Sequence, residues 1–250
     1  MPIQENDWRE RTSLLLGAGA VERLADCRIL VAGVGGVGAY AAEMLCRAGI
    51  GNITIADADC VAPSNINRQL PATAATVGLP KVEVMEQRLH SINPEARIQA
   101  LRIYLDENNI PTLLEEGNFD FVVDAIDTIR PKVALISEAL RRHVNIVSSM
   151  GAGAKTDITR IRFADIRDTF NCGLSRAVRH ALKKNGMGRH RLTVVFSEET
   201  PDMNAIKAVE GERNKKTTAG TVAYMPAAFG CFLAGHVITR LVSTTKTDRQ

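Results

Sequence analysis

The chain alternates between short apolar runs and longer segments in which apolar residues recur every three or four positions. Short apolar runs are typical of buried strands, and the longer periodicity is typical of amphipathic helices. Residues 81–92, for example, place Val82, Met85 and Leu89 on one side of a predicted helix. The predicted strands are residues 29–32, 53–56, 97–101, 119–125 and 145–149. The predicted helices are residues 10–26 (as one or two short helices), 39–48, 81–92, 110–116 and 130–142.

Strands and helices alternate through the first part of the chain, which predicts an α/β fold with a doubly wound, mostly parallel sheet of the Rossmann type. Because the pattern then changes, we divide the chain into a first domain, residues 1–150, and a small basic C-terminal lobe, residues 151–250. The lobe is predicted to contain short strands at residues 160–163 and 192–197, a basic helix after Asn171, a polar mobile loop at residues 200–218, and an apolar helix at residues 225–242.

A glycine loop, Gly33-Val34-Gly35-Gly36-Val37-Gly38, joins the first predicted strand to the helix that follows it. Glycines at this spacing let the backbone approach a phosphate chain and let the helix pack closely on the strand. The helix N-terminus then offers free N–H groups to the phosphates. Asp57 closes the second strand about 20 residues later, where a ribose-binding acid is expected. In this context the loop predicts nucleotide binding.

Composition narrows the class of protein. Of 250 residues, 45% are hydrophobic, enough for a full core. The first eleven residues are polar and contain no apolar signal segment, so we expect a cytoplasmic protein. Residues 225–242 include His236 and Arg240 and predict a buried or interface helix rather than a membrane span. No two of the five cysteines form a C-x-x-C pair, so no zinc site is expected.

The charge is distributed unevenly. Residues 1–150 carry 14 Lys and Arg against 19 Asp and Glu, whereas residues 151–250 carry 17 against 9. A basic lobe on an acidic domain indicates a polyanionic partner. The predicted basic helix has cations at helical spacing and is followed by two more; they are Arg176, Arg179, Lys183, Lys184, Arg189 and Arg191. We predict that these residues bind the backbone of an RNA, the alternative being an ordinary solvated helix face.

Five motifs occur in order: the glycine loop, Asp57-x-Asp59, Asn65-x-x-Arg68-Gln69, Val77-Gly78-x-x-Lys81 and Asp124-Ala-Ile-Asp127. Over about residues 9–150 they resemble the ubiquitin-activating-enzyme fold, which bacterial adenylyltransferases of sulfur-carrier proteins share. The resemblance implies that ATP binds on Gly33, Gly35, Gly36 and Gly38.

Roles for individual side chains also follow from the resemblance. Asp57, with Asp59 beside it, is implied to hold the ribose, and Asn65, Arg68 and Lys81 are implied to contact the triphosphate. Asp127 is implied to position Mg²⁺. The chemistry agrees, because cations and a metal stabilise the negative charge that develops when a carboxylate attacks the α-phosphate.

The C-terminal lobe narrows the resemblance to one branch of this fold. Asp157, Asp165, Thr169, Arg179 and the segment Val195-Phe196-Ser197-x-Glu199 are similar to features of the tRNA threonylcarbamoyladenosine dehydratases. That branch uses ATP to activate the threonyl carboxylate of a modified adenosine beside the anticodon, which then cyclises with loss of water. The alternatives are an adenylyltransferase that activates the C-terminus of a ubiquitin-like sulfur carrier, and a nucleotide-sensing protein without chemistry.

Two further expectations concern assembly and cysteine chemistry. Arg11, six residues before Gly17, is similar to an arginine that a partner subunit inserts into the site, with Arg9 as its rival. We therefore predict a homodimer. Cys172, near the start of the basic helix, is either a buried structural residue or an acyl acceptor, and the first reading is preferred.

Overall fold

The computed structural model describes residues 8–208 and 217–243. Its helices are α1 (Glu10–Leu16), α2 (Ala18–Asp26), α3 (Gly38–Arg47), α4 (Lys81–Ile92), α5 (Ile110–Gly117), α6 (Ile129–Arg141), α7 (Gly173–Lys184) and α8 (Tyr224–Ser243). Its strands are β1 (Arg28–Ala32), β2 (Asn52–Ala56), β3 (Arg97–Leu101), β4 (Phe121–Asp124), β5 (Ile146–Ser149), β6 (Ile161–Asp165), β7 (Thr193–Ser197), β8 (Ile206–Ala208) and β9 (Thr217–Ala219).

Seven strands form one sheet in the order β3-β2-β1-β4-β5-β7-β6. All neighbours are parallel except β6 and β7, which pair antiparallel at one edge. The order reverses between β1 and β4, so a crevice opens outside the carboxyl ends of these two strands. The predicted doubly wound, mostly parallel α/β fold is confirmed.

Both faces of the sheet are buried along the central strands β1, β2, β4, β5 and β7, which explains why these strands are mostly apolar. On β1, Ile29 and Val31 pack into the core that contains α3, α4 and α8, whereas Leu30 and Ala32 pack into the opposite core with α5 and α6. A third cluster joins α6, α7 and β7. Helices packed on both faces of the sheet therefore fix the positions of the loops at its carboxyl edge.

Residue 150 does not divide the sheet. β7, from the basic lobe, pairs with β5 from the first domain in parallel register, and β6 continues the sheet beyond β7. The change from an acidic to a basic part of the sequence describes the charge of the surface. It does not indicate which strands share a sheet. The division of function between residues 1–150 and 151–250 stays a prediction.

Two parts of the lobe can be compared with the sequence predictions. The polar segment 200–218, predicted to be a loop, contains β8 and the start of β9, which pair antiparallel because backbone pairing does not require apolar side chains, and residues 209–216 lie outside the described part of the chain. α8 is long and apolar enough by composition to cross a membrane. One side of it, which includes Met225, Phe229 and Leu233, nevertheless lies in the core against α3, as expected for a buried helix.

Candidate active site

The glycine loop follows β1 at the crevice, and two of its glycines are required by close backbone contacts. Gly33 has φ +86°, and a Cβ there would lie 2.9 Å from the carbonyl oxygen of Ala125. A Cβ on Gly38 would lie 1.8 Å from the carbonyl oxygen of Gly33. The loop is therefore pressed against the segment after β4, and α3 begins at Gly38 with its N-terminus at the crevice. This geometry suits a phosphate chain.

Asp57, Asp59 and Lys81 form a connected group beside this loop. The Asp57 carboxylate accepts the backbone N–H of Val34 at 2.9 Å and that of Asp59 at 2.9 Å. The Lys81 ammonium, almost fully buried, donates to Asp59 Oδ2 at 2.7 Å. Burial raises the pKa of Asp57, and the nearby charge of Lys81 opposes that rise. Asp59 thus holds Lys81 in place beside the carboxylate that is predicted to bind ribose.

The segment from Asn65 to Gln69 lies over the glycine loop. Asn65 Oδ1 accepts the Ala62 N–H at 3.0 Å, so this side chain caps the local turn. Arg68 is half-buried, and its Nη1 donates to Ser64 O and to Asn67 Oδ1, both at 2.8 Å. These bonds hold the guanidinium against its own turn, and the Arg68 carbonyl oxygen would lie 3.5 Å from a Cβ built on Gly36.

Gln69, a motif residue with no assigned role, reaches the same place. Its amide nitrogen would lie 3.6 Å from a Cβ built on Gly35. Within the described residues, its buried Oε1 has no hydrogen-bond partner. An amide oxygen left without a donor beside a phosphate-binding loop fits contact with a bound ligand.

Asp127 lies exposed in the short connection between β4 and α6, at the other side of the crevice. Beneath it is a buried ion pair that the sequence analysis missed: Lys132 Nζ lies 2.8 Å from Asp124 Oδ2, and neither side chain is exposed. Lys132 also donates to the Ile126 carbonyl at 2.8 Å, while Asp124 Oδ1 accepts the Ile126 N–H at 3.1 Å. Both peptide groups that precede Asp127 are therefore fixed.

The signal for this pair was present in the sequence. Lys132 follows Pro131 in a helix whose neighbouring positions are apolar, and a lysine there must be either exposed or paired. Ser148 on β5 completes the arrangement by donating to Asp124 Oδ2 at 2.6 Å.

The C-terminal part of the chain forms one wall of the crevice. The start of α8 lies against the glycine loop, because a Cβ on Gly36 would lie 3.2 Å from the side chain of Pro226. Asn67 Nδ2 donates to the Thr221 carbonyl at 2.9 Å. The site is thus built from both predicted parts of the chain.

The Phe-Ser-x-Glu segment has a structural role at the same edge. The Glu199 carboxylate accepts the N–H groups of Thr156 at 2.9 Å and Asp157 at 2.8 Å. Lys155 is buried and donates to the Ser197 carbonyl at 2.7 Å, and burial lowers its pKa. These bonds hold the loop after β5 over the end of β7.

Cys172 caps the N-terminus of α7. It is buried, and its Sγ accepts the N–H of Ser175 at 3.4 Å. Its burial agrees with the preferred interpretation, in which Cys172 is a structural residue rather than an acyl acceptor.

The basic helix α7 presents most of its cations to solvent. Arg176, Lys183 and Lys184 are exposed, as are Arg189 and Arg191 beyond the helix. Arg179 differs, because it is half-buried and its Nη1 donates to Ile166 O, Thr169 O and Thr169 Oγ1 at 3.1, 3.0 and 2.8 Å. Arg179 therefore fastens α7 to the turn before it, and the other five cations remain the predicted RNA contacts.

The two candidate arginines near the N-terminus are placed differently. Arg9 packs beside Gly49 at the C-terminal end of α3, whereas Arg11, in the first turn of α1, is exposed. Leu14 and Leu15 on the same short helix are 71% and 83% exposed, which gives α1 an apolar outer surface.

The comparisons with known proteins agree with this arrangement. The chain is 38% identical to the tRNA threonylcarbamoyladenosine dehydratase of Bacillus subtilis over 96% of both chains. It is 36% identical to the Escherichia coli enzyme of that name over 97% of both. The crystal structure of the Escherichia coli tRNA N6-threonylcarbamoyladenosine dehydratase in complex with ATP superposes with a TM-score of 0.86, at 34% identity and 98% coverage of both chains. The ThiF family profile matches residues 9–250, and the chain belongs to the ThiF family.

Proposed function

We propose that this protein is a cytoplasmic, ATP-dependent tRNA threonylcarbamoyladenosine dehydratase. The observation that carries the proposal is the convergence of the glycine loop, Asp57, Arg68, Lys81 and Asp127 around one crevice. Relatives matched over nearly their whole length carry this name, which selects the dehydratase among adenylating enzymes.

ATP lies with its phosphates on the glycine loop and its ribose at Asp57. Each Asp57 oxygen already accepts one backbone N–H and has a second lone pair for a ribose hydroxyl. Asn65 and Gln69 contribute amide groups beside the loop, and Asp59 contributes by holding Lys81.

In the first step, the threonyl carboxylate of the modified adenosine attacks the α-phosphorus of ATP, and pyrophosphate leaves. Arg68 and Lys81 stabilise the charge that accumulates on the phosphate oxygens. In the second step, a nucleophilic group within the same side chain attacks the acyl carbon and loses its proton, and AMP leaves with one oxygen of the former carboxylate. The product is cyclic and has lost the elements of water.

Mg²⁺ fits the site at Asp127. Within residues 8–208 and 217–243, no three His, Cys, Asp or Glu side chains are grouped to hold a metal by themselves. Magnesium is commonly held by one or two carboxylates together with substrate phosphates, so a single exposed aspartate in the connection after β4 is sufficient. Bound there, it would neutralise phosphate charge.

The tRNA lies across the basic surface of α7 and the residues after it, with the anticodon loop at the crevice. Arg176, Lys183, Lys184, Arg189 and Arg191 neutralise its backbone, and Arg179 supports the helix that carries three of them.

The active form is a homodimer in which Arg11 enters the partner's site. Arg9 packs at the end of α3 opposite Gly38, and α3 is about 15 Å long. Arg11, two residues from Arg9 along the chain, is thus far from the glycine loop of its own chain. The exposed leucines of α1 supply apolar surface for such a contact.

One assay tests the function. The protein is incubated with ATP and Mg²⁺ together with either threonylcarbamoyladenosine-containing tRNA or a ubiquitin-like sulfur carrier, and AMP release is measured. We expect AMP release in the reaction that contains the tRNA and none in the reaction that contains the carrier. Release only with the carrier would establish the alternative adenylyltransferase, and release with neither would leave a nucleotide-binding protein.

The site residues are tested in the same assay. Arg68→Ala, Lys81→Ala and Asp127→Ala should each lower adenylate formation by about 100-fold or more, the scale for losing one preorganised charged group. Arg97→Ala, an exposed cation on the opposite edge of the sheet, is the matched control and should retain full activity.

A further inference from the structure

A groove of about 610 Å³ lies between α5, α6 and α7, outside the nucleotide crevice. Its lining includes Pro111 from α5, Val133 and Ala134 from α6, and Ala181 from α7. This volume is within the usual range for small-ligand sites of about 300–1,000 Å³. The groove is therefore large enough for a flat ring system, and its walls are largely apolar.

Ser137 belongs to the wall of this groove and is only 3% exposed. Among the residues that the structure describes, its Oγ has no hydrogen-bond partner. Buried hydroxyl groups are nearly always paired, since an unpaired one destabilises the fold. Asn185, the C-cap of α7, adds an amide to the lining. The groove thus offers hydrogen-bonding groups within an apolar setting.

The charges that border the groove neutralise one another. Arg130 pairs with Glu107 at 3.4 Å, and Arg141 pairs with Glu138 on the preceding turn of α6. The border therefore carries no net charge that would attract an ionic ligand, and an uncharged ring with polar edges suits it better. Unstacked nucleobases have this character, and single-stranded RNA is recognised by stacking such bases and bonding their edges.

The position of the groove favours RNA as the occupant. One wall is α7, which carries the exposed Lys184 between the lining residues Ala181 and Asn185, and another is α6, which begins two residues after Asp127. Ser137 is ten residues along the chain from Asp127, about 15 Å at the rise of a helix. A backbone held on α7 would pass the groove on its way to the crevice.

We propose that this groove binds an unstacked base of the tRNA substrate, a neighbour of the adenosine that is modified. The inference rests on the proposed function, because it takes the substrate to be tRNA. The base packs against Ala134, Ala181 and Pro111, and its edge bonds Ser137 and Asn185. The groove is a specificity subsite, separate from the reacting atoms.

Two variants separate binding from folding. Ala181→Trp fills the groove and should raise the KM for tRNA about tenfold, the scale for losing one stacked base. Ser137→Ala removes only the unpaired hydroxyl, so it should raise the KM for tRNA severalfold while the melting temperature stays equal or rises. The KM for ATP should stay unchanged in both. Unchanged KM for tRNA in both folded variants would overturn the inference.

A third measurement does not depend on turnover. Asn185→p-benzoyl-phenylalanine places a photoreactive ring at the groove, and illumination with tRNA should give a cross-linked nucleotide outside the duplex stems. The same amino acid at Arg97 is the control and should give none. If the wild type releases no AMP with tRNA, the proposed function fails, and the cross-link still decides whether a base enters the groove. Absence of a cross-link at position 185 would count against it.

Discussion

The Asp57 carboxylate has two opposing influences on its proton affinity. Burial raises its pKa above the ordinary 3.8, and Lys81 with the two backbone N–H donors opposes this. The raised pKa means that the native state holds this proton more tightly than the unfolded chain does. The contribution of Asp57 to stability is therefore largest below the unfolded pKa and is lost as the pH rises through the folded pKa.

Ligand binding should follow the opposite trend. The ionised carboxylate accepts both ribose hydroxyls, so ATP affinity should fall as the pH is lowered through the raised pKa of Asp57. Calorimetric titrations at a series of pH values measure this, and 2′,3′-dideoxy-ATP is the control. Because that nucleotide has no ribose hydroxyls, its affinity should lack the Asp57 step. Identical pH profiles for the two nucleotides would show that Asp57 does not bind the ribose.

The buried Lys132–Asp124 pair is predicted to position Asp127 rather than to touch the substrate. Lys132→Met leaves the Asp124 carboxylate buried without its partner and should destabilise the protein by about 3–5 kcal/mol. Denaturant unfolding measures this loss. The double variant Asp124→Asn/Lys132→Met removes the uncompensated charge and should recover much of the stability.

Activity separates the two roles of this pair. The double variant still lacks the lysine that fixes the Ile126 carbonyl, so its kcat should remain low while its ATP affinity is close to that of the wild type. Full recovery of kcat together with stability would mean that the pair serves folding alone.

At the scale of elements, α7 carries two kinds of cation: exposed ones that are predicted to bind RNA, and Arg179, which fastens the helix to the preceding turn. Arg176→Ala/Lys183→Ala should weaken tRNA binding and reduce the salt dependence of log K by about 0.9 for each lost phosphate contact. Binding isotherms at several salt concentrations measure both quantities. Arg28→Ala/Arg97→Ala, which removes two exposed cations at the starts of β1 and β3, should change neither.

Arg179 gives the internal contrast on the same helix. Arg179→Ala removes three hydrogen bonds to Ile166 and Thr169, so it should lower the melting temperature more than the double variant does. An equal loss of melting temperature in the two proteins would contradict the supporting role.

Most elements could be predicted because their apolar periodicity is set by burial on the sheet. The bounds of α4 and β3 agree with the predicted residues 81–92 and 97–101. The helical spacing of the cations on α7 could not show that the Arg179 side chain bonds Ile166 and Thr169, because the same spacing also contains exposed cations. The antiparallel return of β6 beside β7 also depends on long-range pairing, which local pattern does not encode.

The candidate site was predictable to a similar extent. Asp57 and the glycine loop are adjacent because consecutive strands pair, which their order along the chain implies. The contact of Pro226 with Gly36 joins residues 190 positions apart, and nothing in the local sequence marks it. The unpaired Ser137 hydroxyl is equally invisible, because it depends on what α5 and α7 place around it.

At the scale of the whole molecule, the nucleotide crevice has contributions from nearly every part of the chain, yet Arg11 lies apart from it. In a dimer with twofold symmetry, Arg11 on α1 of each protomer would enter the crevice of its partner, so both sites would be completed in the same way. Arg11→Ala and Asp127→Ala should each be inactive as homodimers. When the two are co-expressed with different affinity tags, mixed dimers contain one site with both residues intact and should show about a quarter of wild-type activity for the total population.

The matched control pairs two residues of the same crevice. Lys81→Ala mixed with Asp127→Ala gives no intact site in any dimer, so it should recover no activity. Arg9→Ala mixed with Asp127→Ala tests the rival arginine, which packs within its own subunit at Gly49 and should not depend on the partner. Recovery in the Arg11 mixture alone requires that this side chain act across the interface. A protein that is monomeric and fully active at the assay concentration would refute the shared site, because Arg11 would then be unnecessary or would serve its own chain.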